Sequence, residues 1–462
     1  MRPVPLFRLR LLALATALLT CGCAVGPAYQ RPSTPEPPAF KEAAGWAPAA
    51  PADTLERGPW WTLFGDPLLN QLAGQVEVSN QNVAAAVASY AQARALVQEQ
   101  RASLFPTVSL TGGADRSGGG AASGDRYHLN IGGSWEVDTW GRLRASVSGA
   151  GAAAAASAAD LAAARLSAQG ELAANYFSLR QTDAQLALLS ATIDGYQRVQ
   201  QITQNRFNAG IAAKSDVLQA QTQLANAQVD ALALGRQRAQ LEHAMAVLLG
   251  KAPADFSLAV APWAANVPEV PVGVPSTLLQ RRPDIAAAER RVAQANEQIG
   301  IARAAYFPTI GLTASYGTAG SRVADLFSAS NALWSFGVSA AQSLFNAGAT
   351  RAHVAGAQAQ HDAAVARYRQ TVLEAFADVE NQLAATRVLV AQQVLRRQAS
   401  EAADQVEAQI LNRYKAGQVS YAEVVQSQQT ALSARRSLVQ SQADRQTTAV
   451  ALIQSIGGGW HD

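Results

Sequence analysis

The chain has 462 residues, a formal charge of +3 and 15% charged side chains; it is rich in Ala and Gln and poor in Lys and aromatic residues. Arg2, Arg8 and Arg10 make up that surplus, for without them 34 basic side chains face 34 acidic ones, which removes the electrostatic case for nucleic-acid binding. Both cysteines, Cys21 and Cys23, lie near the start, so the body holds neither a disulfide nor a cysteine metal site.

Met1 to Cys23 reads as a bacterial export signal, with basic residues, the apolar run Leu11 to Leu19 and then Thr20-Cys21-Gly22-Cys23. Residues 1–22 are too short to span a membrane permanently. Gly22 is the small residue wanted before a lipidated cysteine, so Cys23 is the expected acylated N-terminus of the mature chain. The alternative is an unmodified thiol beside an ordinary cleavage site. Residues 23–59, rich in Pro and Ala, are expected to form an extended tether.

Residues 60–249 form the first of two repeats. Order is expected from Trp60-Trp61, and Asp66-Pro67 pairs a capping acid with proline at the first helical position. Apolar residues Val83, Val87, Tyr90 and Val97 carry that helix towards Leu104, with Ser79-Asn80 as its predicted break. After Phe105-Pro106 the period becomes two, over Val108 to Ala114 and, beyond a glycine-rich loop at 118–124, over Tyr127 to Val137 with Leu129, Ile131 and Trp135 on the apolar face. No proline occurs from Gly141 to Asn205, where some 65 residues at 1.5 Å each reach about 100 Å. Leu172, Leu179, Leu186 and Ile193 recur there every seven residues. Asn205-Arg206-Phe207-Asn208-Ala209-Gly210 ends the helix at a glycine. Asp216 then opens a return helix carrying Leu234, Leu241 and Leu248.

Residues 250–283 are a proline-rich, irregular connector, and residues 284–456 repeat the plan before a tail at 457–462. Phe307-Pro308 precedes strands through Ile310, Leu312, Ala314 and Tyr316, and through Trp334, Phe336 and Val338. A long helix with Val365, Val372 and Val379 follows, ending in Asn412-Arg413-Tyr414-Lys415-Ala416-Gly417. Glu423 opens the last helix. The tip arginines lie 207 residues apart and the Phe-Pro pairs 202 apart, far beyond the roughly 20 to 50 residues of a solenoid unit, so a whole domain is duplicated.

The predicted fold is mainly α with four strands that are apolar on one face and aromatic near their ends, the pattern of a transmembrane β-barrel. The alternative is a soluble β-sandwich edge packed on the helices. Four strands cannot close a barrel, which takes at least about eight, and unpaired edges are not tolerated in lipid. The chain must therefore combine with others.

The connector closes on Pro275-Ser276-Thr277-Leu278-Leu279-Gln280-Arg281-Arg282-Pro283-Asp284-Ile285, which resembles the signature of TolC-like outer-membrane efflux proteins of the lipoprotein (NodT) branch. Agreement extends through Cys23-Ala24-Val25-Gly26-Pro27, Trp60-Trp61 with Phe64 and Asp66-Pro67, both helix tips, and Gly457-Gly458-Gly459-Trp460. The resemblance implies a homotrimer anchored in outer-membrane lipid, in which four strands per chain build one twelve-stranded barrel and the helices continue it as a periplasmic tunnel. It implies a passive exit duct served by a periplasmic adaptor protein and an inner-membrane pump.

The resemblance also implies a periplasmic gate. Asp216 and Glu423 match the family's acidic tip positions, and Val419 or Tyr421 is expected at the constriction, because Val419 and Gln426 stand where charged residues are common in relatives. The residues themselves leave a second reading open, in which both acids cap helices. Arg206 and Arg413, with Gly210 and Gly417, are the candidates for intersubunit pairing or adaptor docking, against a plain helix-end charge. The five histidines show no metal spacing and no phosphate-binding glycine motif occurs, so neither cofactor nor catalysis is expected. An outlet for type I protein secretion would use the same architecture. A purely structural coiled-coil envelope lipoprotein would lack the strands.

Overall fold

A computed structural model describes residues 24–34, 40–42, 59–119, 124–264, 266–268 and 282–458. Cys23, the export signal, the whole stretch from Pro275 to Arg281, and Gly459 and Trp460 lie outside the described residues. Seven helices and four strands are described: α1 Pro67–Ser79, α2 Gln81–Ala102, β1 Thr107–Ser117, β2 Gly124–Val137, α3 Arg142–Asn208, α4 Lys214–Leu248, α5 Pro283–Ala304, β3 Thr309–Gly320, β4 Ala332–Ala341, α6 Ala349–Lys415 and α7 Tyr421–Ser455. The duplication is visible in the lengths: α3 and α6 both have 67 residues, and α4 and α7 both have 35. From Arg142 and Ala349 to Leu248 and Ser455 the offset of 207 holds at every helix boundary.

The chain divides into two compact units. The first holds residues 1–34, 88–158 and 287–371, and its centre is an antiparallel sheet in the order β1-β2-β3-β4. Each hairpin expected from the period-two pattern is present, with Leu110 opposite Ile131 and Tyr316 opposite Trp334, and β2 pairs with β3 to join the repeats, Trp135 facing Leu312. Outward residues are apolar and bare: Val108, Leu110, Ile131, Tyr316, Trp334, Phe336 and Val338 are all more than half exposed. Aromatic rings gather where the strands meet the helices. There Trp140 stacks on Phe307 at 4.7 Å and donates its indole N–H to the Pro308 carbonyl (2.7 Å), while Trp135 donates to the Leu104 carbonyl (2.9 Å).

The expected tether is extended and pinned in its described part. Val25 donates to the Trp140 carbonyl (3.3 Å), Gly26 lies so close to Gly300 that an added Cβ would be 3.0 Å from its Cα, and Asn296 donates to the Pro27 carbonyl (2.9 Å). Further along, Tyr29 donates to Glu289 (3.2 Å), Arg31 to the Tyr368 hydroxyl (3.2 Å) and Arg369 to the Ser33 carbonyl (3.1 Å). The Ala-rich part of α3 is apolar enough by composition to cross a membrane. Between Arg144 and Asp160, however, its uncharged run is shorter than the about 20 residues that a span requires.

The second unit holds residues 35–87, 159–286 and 372–462. Its core packs Trp60, Phe64, Leu69, Leu72 and Val76 against the heptad residues Leu172 and Leu179 of α3 and against Leu248 of α4 and Ile453 of α7. Asp66 caps α1 as expected, accepting from the backbone of Leu68 and Leu69 and from the Tyr176 hydroxyl (2.5 Å); burial, with that carboxylate beside it, pushes the Tyr176 phenol up to about 12. The predicted break falls at Asn80, whose side chain accepts from Asn82 and Val83 to start α2 and donates to the Leu248 carbonyl (2.8 Å). Gly250 follows in the left-handed region at φ 64°, where a Cβ would collide with the Ser79 carbonyl oxygen.

In its described part, residues 250–264, 266–268 and 282–283, the connector is strapped down. Buried Arg180 joins Asp183 (3.1 Å) to the Ala259 carbonyl (2.9 Å), and Arg238 reaches Asp183 (2.7 Å), Glu242 (3.2 Å) and the Leu258 carbonyl. Trp263 and the backbone of Ala264 and Asn266 bind the buried Gln446 of α7. Arg282, from the signature motif, donates to Asp284 (2.7 Å), Asp378 (3.1 Å) and the Ser455 carbonyl at the end of α7 (3.1 Å), tying three helices together. Because Arg180 and Asp183 are both almost fully buried, Asp183→Ala is expected to cost about 3–5 kcal/mol by stranding a buried guanidinium. The thermal midpoint of the detergent-solubilised protein checks this, with Arg180→Met/Asp183→Leu expected to recover most of the loss.

Candidate functional site

The two tips are built alike. Gly210 (φ 77°) and Gly417 (φ 73°) sit in the left-handed region that ends a helix. The N–H groups of Gly210 and Ile211 return to the carbonyls of Phe207 and Arg206, and those of Gly417 and Gln418 to Tyr414 and Arg413, at 2.8–3.0 Å. Each tip is therefore a Schellman turn, and both glycines are exposed.

Asp216 and Glu423 occupy the third position of their return helices, α4 and α7, where a carboxylate also favours the positive end of the helix dipole. Their surroundings differ. Glu423 accepts from the Ser420 backbone N–H and hydroxyl, both at 3.2 Å, the capping-box arrangement that Ser420-x-x-Glu423 encodes. Asp216 is half-buried behind Ala213, a residue with no capping side chain, and its carboxylate helps to raise the Tyr421 phenol.

Tyr421, expected at the constriction, is 3% exposed, and the reason is packing. It lies against Tyr414 (5.6 Å between centroids), Val199, Ala220 and Val424, with Val419 covering the edge of the cluster, and its hydroxyl donates to Gln223 at 3.4 Å. Burial first, then the neighbouring tyrosines and Asp216, push its phenol far above the usual range.

Arg206 and Arg413 have parted roles. Arg206 donates to the Tyr414 carbonyl (2.7 Å) and its guanidinium lies 4.7 Å from the centre of the Tyr414 ring, so it clamps the first hairpin to the end of α6. Thr203 and Tyr414 hydroxyls meet beside it at 3.3 Å. Arg413 is exposed, and its guanidinium has no hydrogen bond or ion pair among the described residues. Below the tips, a cavity of about 450 Å³ between the hairpins is lined by Tyr196, Val199, Leu411 and Arg435, with Arg435 held by Asp404 and Glu407 at 2.7 Å each.

The family model for the outer membrane efflux protein matches this chain twice, over residues 72–251 and 274–458. The chain belongs to the outer membrane efflux protein family. These are transport proteins rather than enzymes, and the two matches fall on the two structural repeats. Among relatives, a probable efflux pump outer membrane protein, TtgC of Pseudomonas putida, is 32% identical over 98% of this chain and 96% of its own length. The cation efflux system protein CusC of Escherichia coli is 29% identical over 98% and 99%. Among solved structures, the outer-membrane channel OprN superposes with a TM-score of 0.86 at 30% identity, covering 95% of this chain and all of OprN.

Of the tip features, the in-chain clamp of Arg206 and the burial of Tyr421 escape sequence inspection, because each depends on residues of the other repeat, Tyr414 for Arg206 and Val199 and Ala220 for Tyr421. The capping box was legible as Ser-x-x-Glu. Arg206→Ala is expected to loosen both tips, with amide hydrogen exchange at 205–215 and 412–420 faster by about ten- to a hundredfold, the worth of a charged hydrogen bond with a cation–π contact. The region around Asn80 keeps its protection. A buried phenol binds its proton more tightly when folded than when unfolded, so the stability due to Tyr421 is present below about pH 10 and falls as pH rises above it. Exchange at the tip measured from pH 8 to 11 is expected to show that loss, and Tyr421→Phe to shrink it.

Proposed function

We propose that this outer membrane efflux protein is the exit duct of a tripartite pump, a homotrimer in which three four-stranded sheets close one twelve-stranded barrel and the helices form the periplasmic tunnel. The observation that carries this reading is the sheet itself: β1 and β4 each pair on one side only, so their outer edges have no partner strand among the described residues, while its outward side chains suit hydrocarbon. Passage is passive, and an inner-membrane pump acting through a periplasmic adaptor supplies the energy. Relatives named for toluene and for cation efflux share this architecture, which suits a duct whose cargo is chosen by the pump, and these names favour small molecules over secreted proteins.

The lipid anchor at Cys23 belongs to the same reading. Ala24 and Val25 are fixed beside Gly141 and Trp140 at the aromatic end of the sheet, and that supports a membrane-level position for an acylated neighbour. The gate is assigned to the half-buried Asp216 and the exposed Glu423 with Val419, and Tyr421 acts as the packed post that sets where they stand. Carboxylates gathered around a threefold axis repel one another and attract cations. The exposed turns at Gly210 and Gly417 are the surface offered to the adaptor.

Planar-bilayer conductance tests the gate. Asp216→Asn and Glu423→Gln remove charge while Gln keeps the capping box, so the repulsion that spreads the ring and the attraction for cations both weaken, and single-channel conductance and cation selectivity are expected to fall. Unchanged conductance and selectivity in both variants would remove these residues from the gate.

A further inference from the structure

Because the hairpins α3/α4 and α6/α7 superimpose at a constant offset of 207, every contact across the seam between them has a second version with the repeats exchanged. The exchanged version can form only between copies. In the chain, Arg206 of the first hairpin holds the carbonyl and ring of Tyr414 on the second. Its exchanged counterpart is Arg413 acting on Phe207, and Arg413 is the tip arginine left exposed and unpaired.

The residues around these positions have changed in matched pairs. The hydroxyl contact of Thr203 with Tyr414 becomes Ile410 with Phe207, in which both hydroxyls are gone. The ion pair of Arg436 with Asp230 (2.9 Å) becomes Val229 with Ser437, so neither charge is left unpaired. The amide pair Gln181 with Gln440 becomes Val388 with Ala233. Val229 and Val388 are 62% and 47% exposed in the single chain, apolar surface with nothing on it. Paired replacement of this kind is what a buried interface requires, since removing one partner alone strands a polar group.

We propose that Arg413 is the clamp between copies: its guanidinium donates to the Phe207 carbonyl of a second copy and lies on that ring, repeating between chains what Arg206 does within one. The interface is heterologous, second hairpin to first, and closes into a ring under the threefold rotation of the proposed trimer. The inference rests on the trimer proposed above and adds its tip contact. One feature distinguishes the two seams. Where Tyr421 packs on the Tyr414 ring, Lys214 places its ammonium 5.3 Å from the Phe207 ring, so the seam between copies carries two cations about one ring and is the weaker of the two.

The test places the photoreactive p-benzoylphenylalanine at Phe207 in the full-length protein in detergent, followed by irradiation, boiling and peptide mapping. The expected result is a heat-resistant dimer band whose crosslinked peptide comes from residues 406–413 of another copy. In parallel, Arg413→Ala and Phe207→Ala are each expected to lower the temperature at which trimers dissociate, with the double variant no lower than the worse single. Trimers that form without this crosslink, or single variants whose effects simply add, would overturn the clamp and leave the channel reading standing. An unmodified protein that runs as a monomer in native mass spectrometry would overturn both.

Discussion

A sheet whose outward face is made for hydrocarbon cannot also present bare N–H and C=O groups to it, since each unsatisfied group in the bilayer core costs several kcal/mol. β1 and β4 carry such edges, and the seam that the chain closes for itself, β2 against β3, shows how the others must be closed. That seam is reinforced at its helical end by the stack of Trp140 on Phe307 and by the indole hydrogen bond to Pro308. This one requirement is what the proposed assembly of several copies answers.

The helices obey a different rule. Their surfaces are too rich in Ala and Gln for a large apolar core, so packing is concentrated in short stations. At one, Trp60, Phe64 and Leu69 meet Leu172 and Phe177; at another, Tyr414 and Tyr421 meet Val199 and Ala220. Between stations the hairpins are registered by polar pairs such as Gln223 with Gln428, buried at 3.1 Å. The Asp183 network holds the connector across the hairpin in the way that a band holds staves, through buried charges that tolerate no missing member.

Much of this is written locally and was readable as such. Glycine in the left-handed region marks both tips, Asp66-Pro67 and Asn80 mark a helix start and a helix break, and the change of period after each Phe-Pro pair marks the strands. What sequence could not supply is which residue of one repeat meets which of the other. Tyr421 looked free to line an aperture because its position invites it, but a ring four residues from a helix turn goes wherever a neighbouring hairpin offers a pocket, and Val199 and Ala220 of the first hairpin offer one, closed by Tyr414. Arg206 and Arg413 are indistinguishable in their own hexapeptides. Only the partner strand of chain, 208 residues away for Arg206, separates their roles.

The equal lengths of the duplicated hairpins carry an implication for how such a protein can change. In the proposed trimer, deleting one heptad from α3 and α4 alone would leave a ragged rim, three short rods alternating with three long ones, and every lateral pair beyond the cut would slip by two helical turns. Reach can therefore be altered only by editing both halves of the gene product in step, and a tunnel of different depth must arise through coordinated pairs of indels rather than single ones.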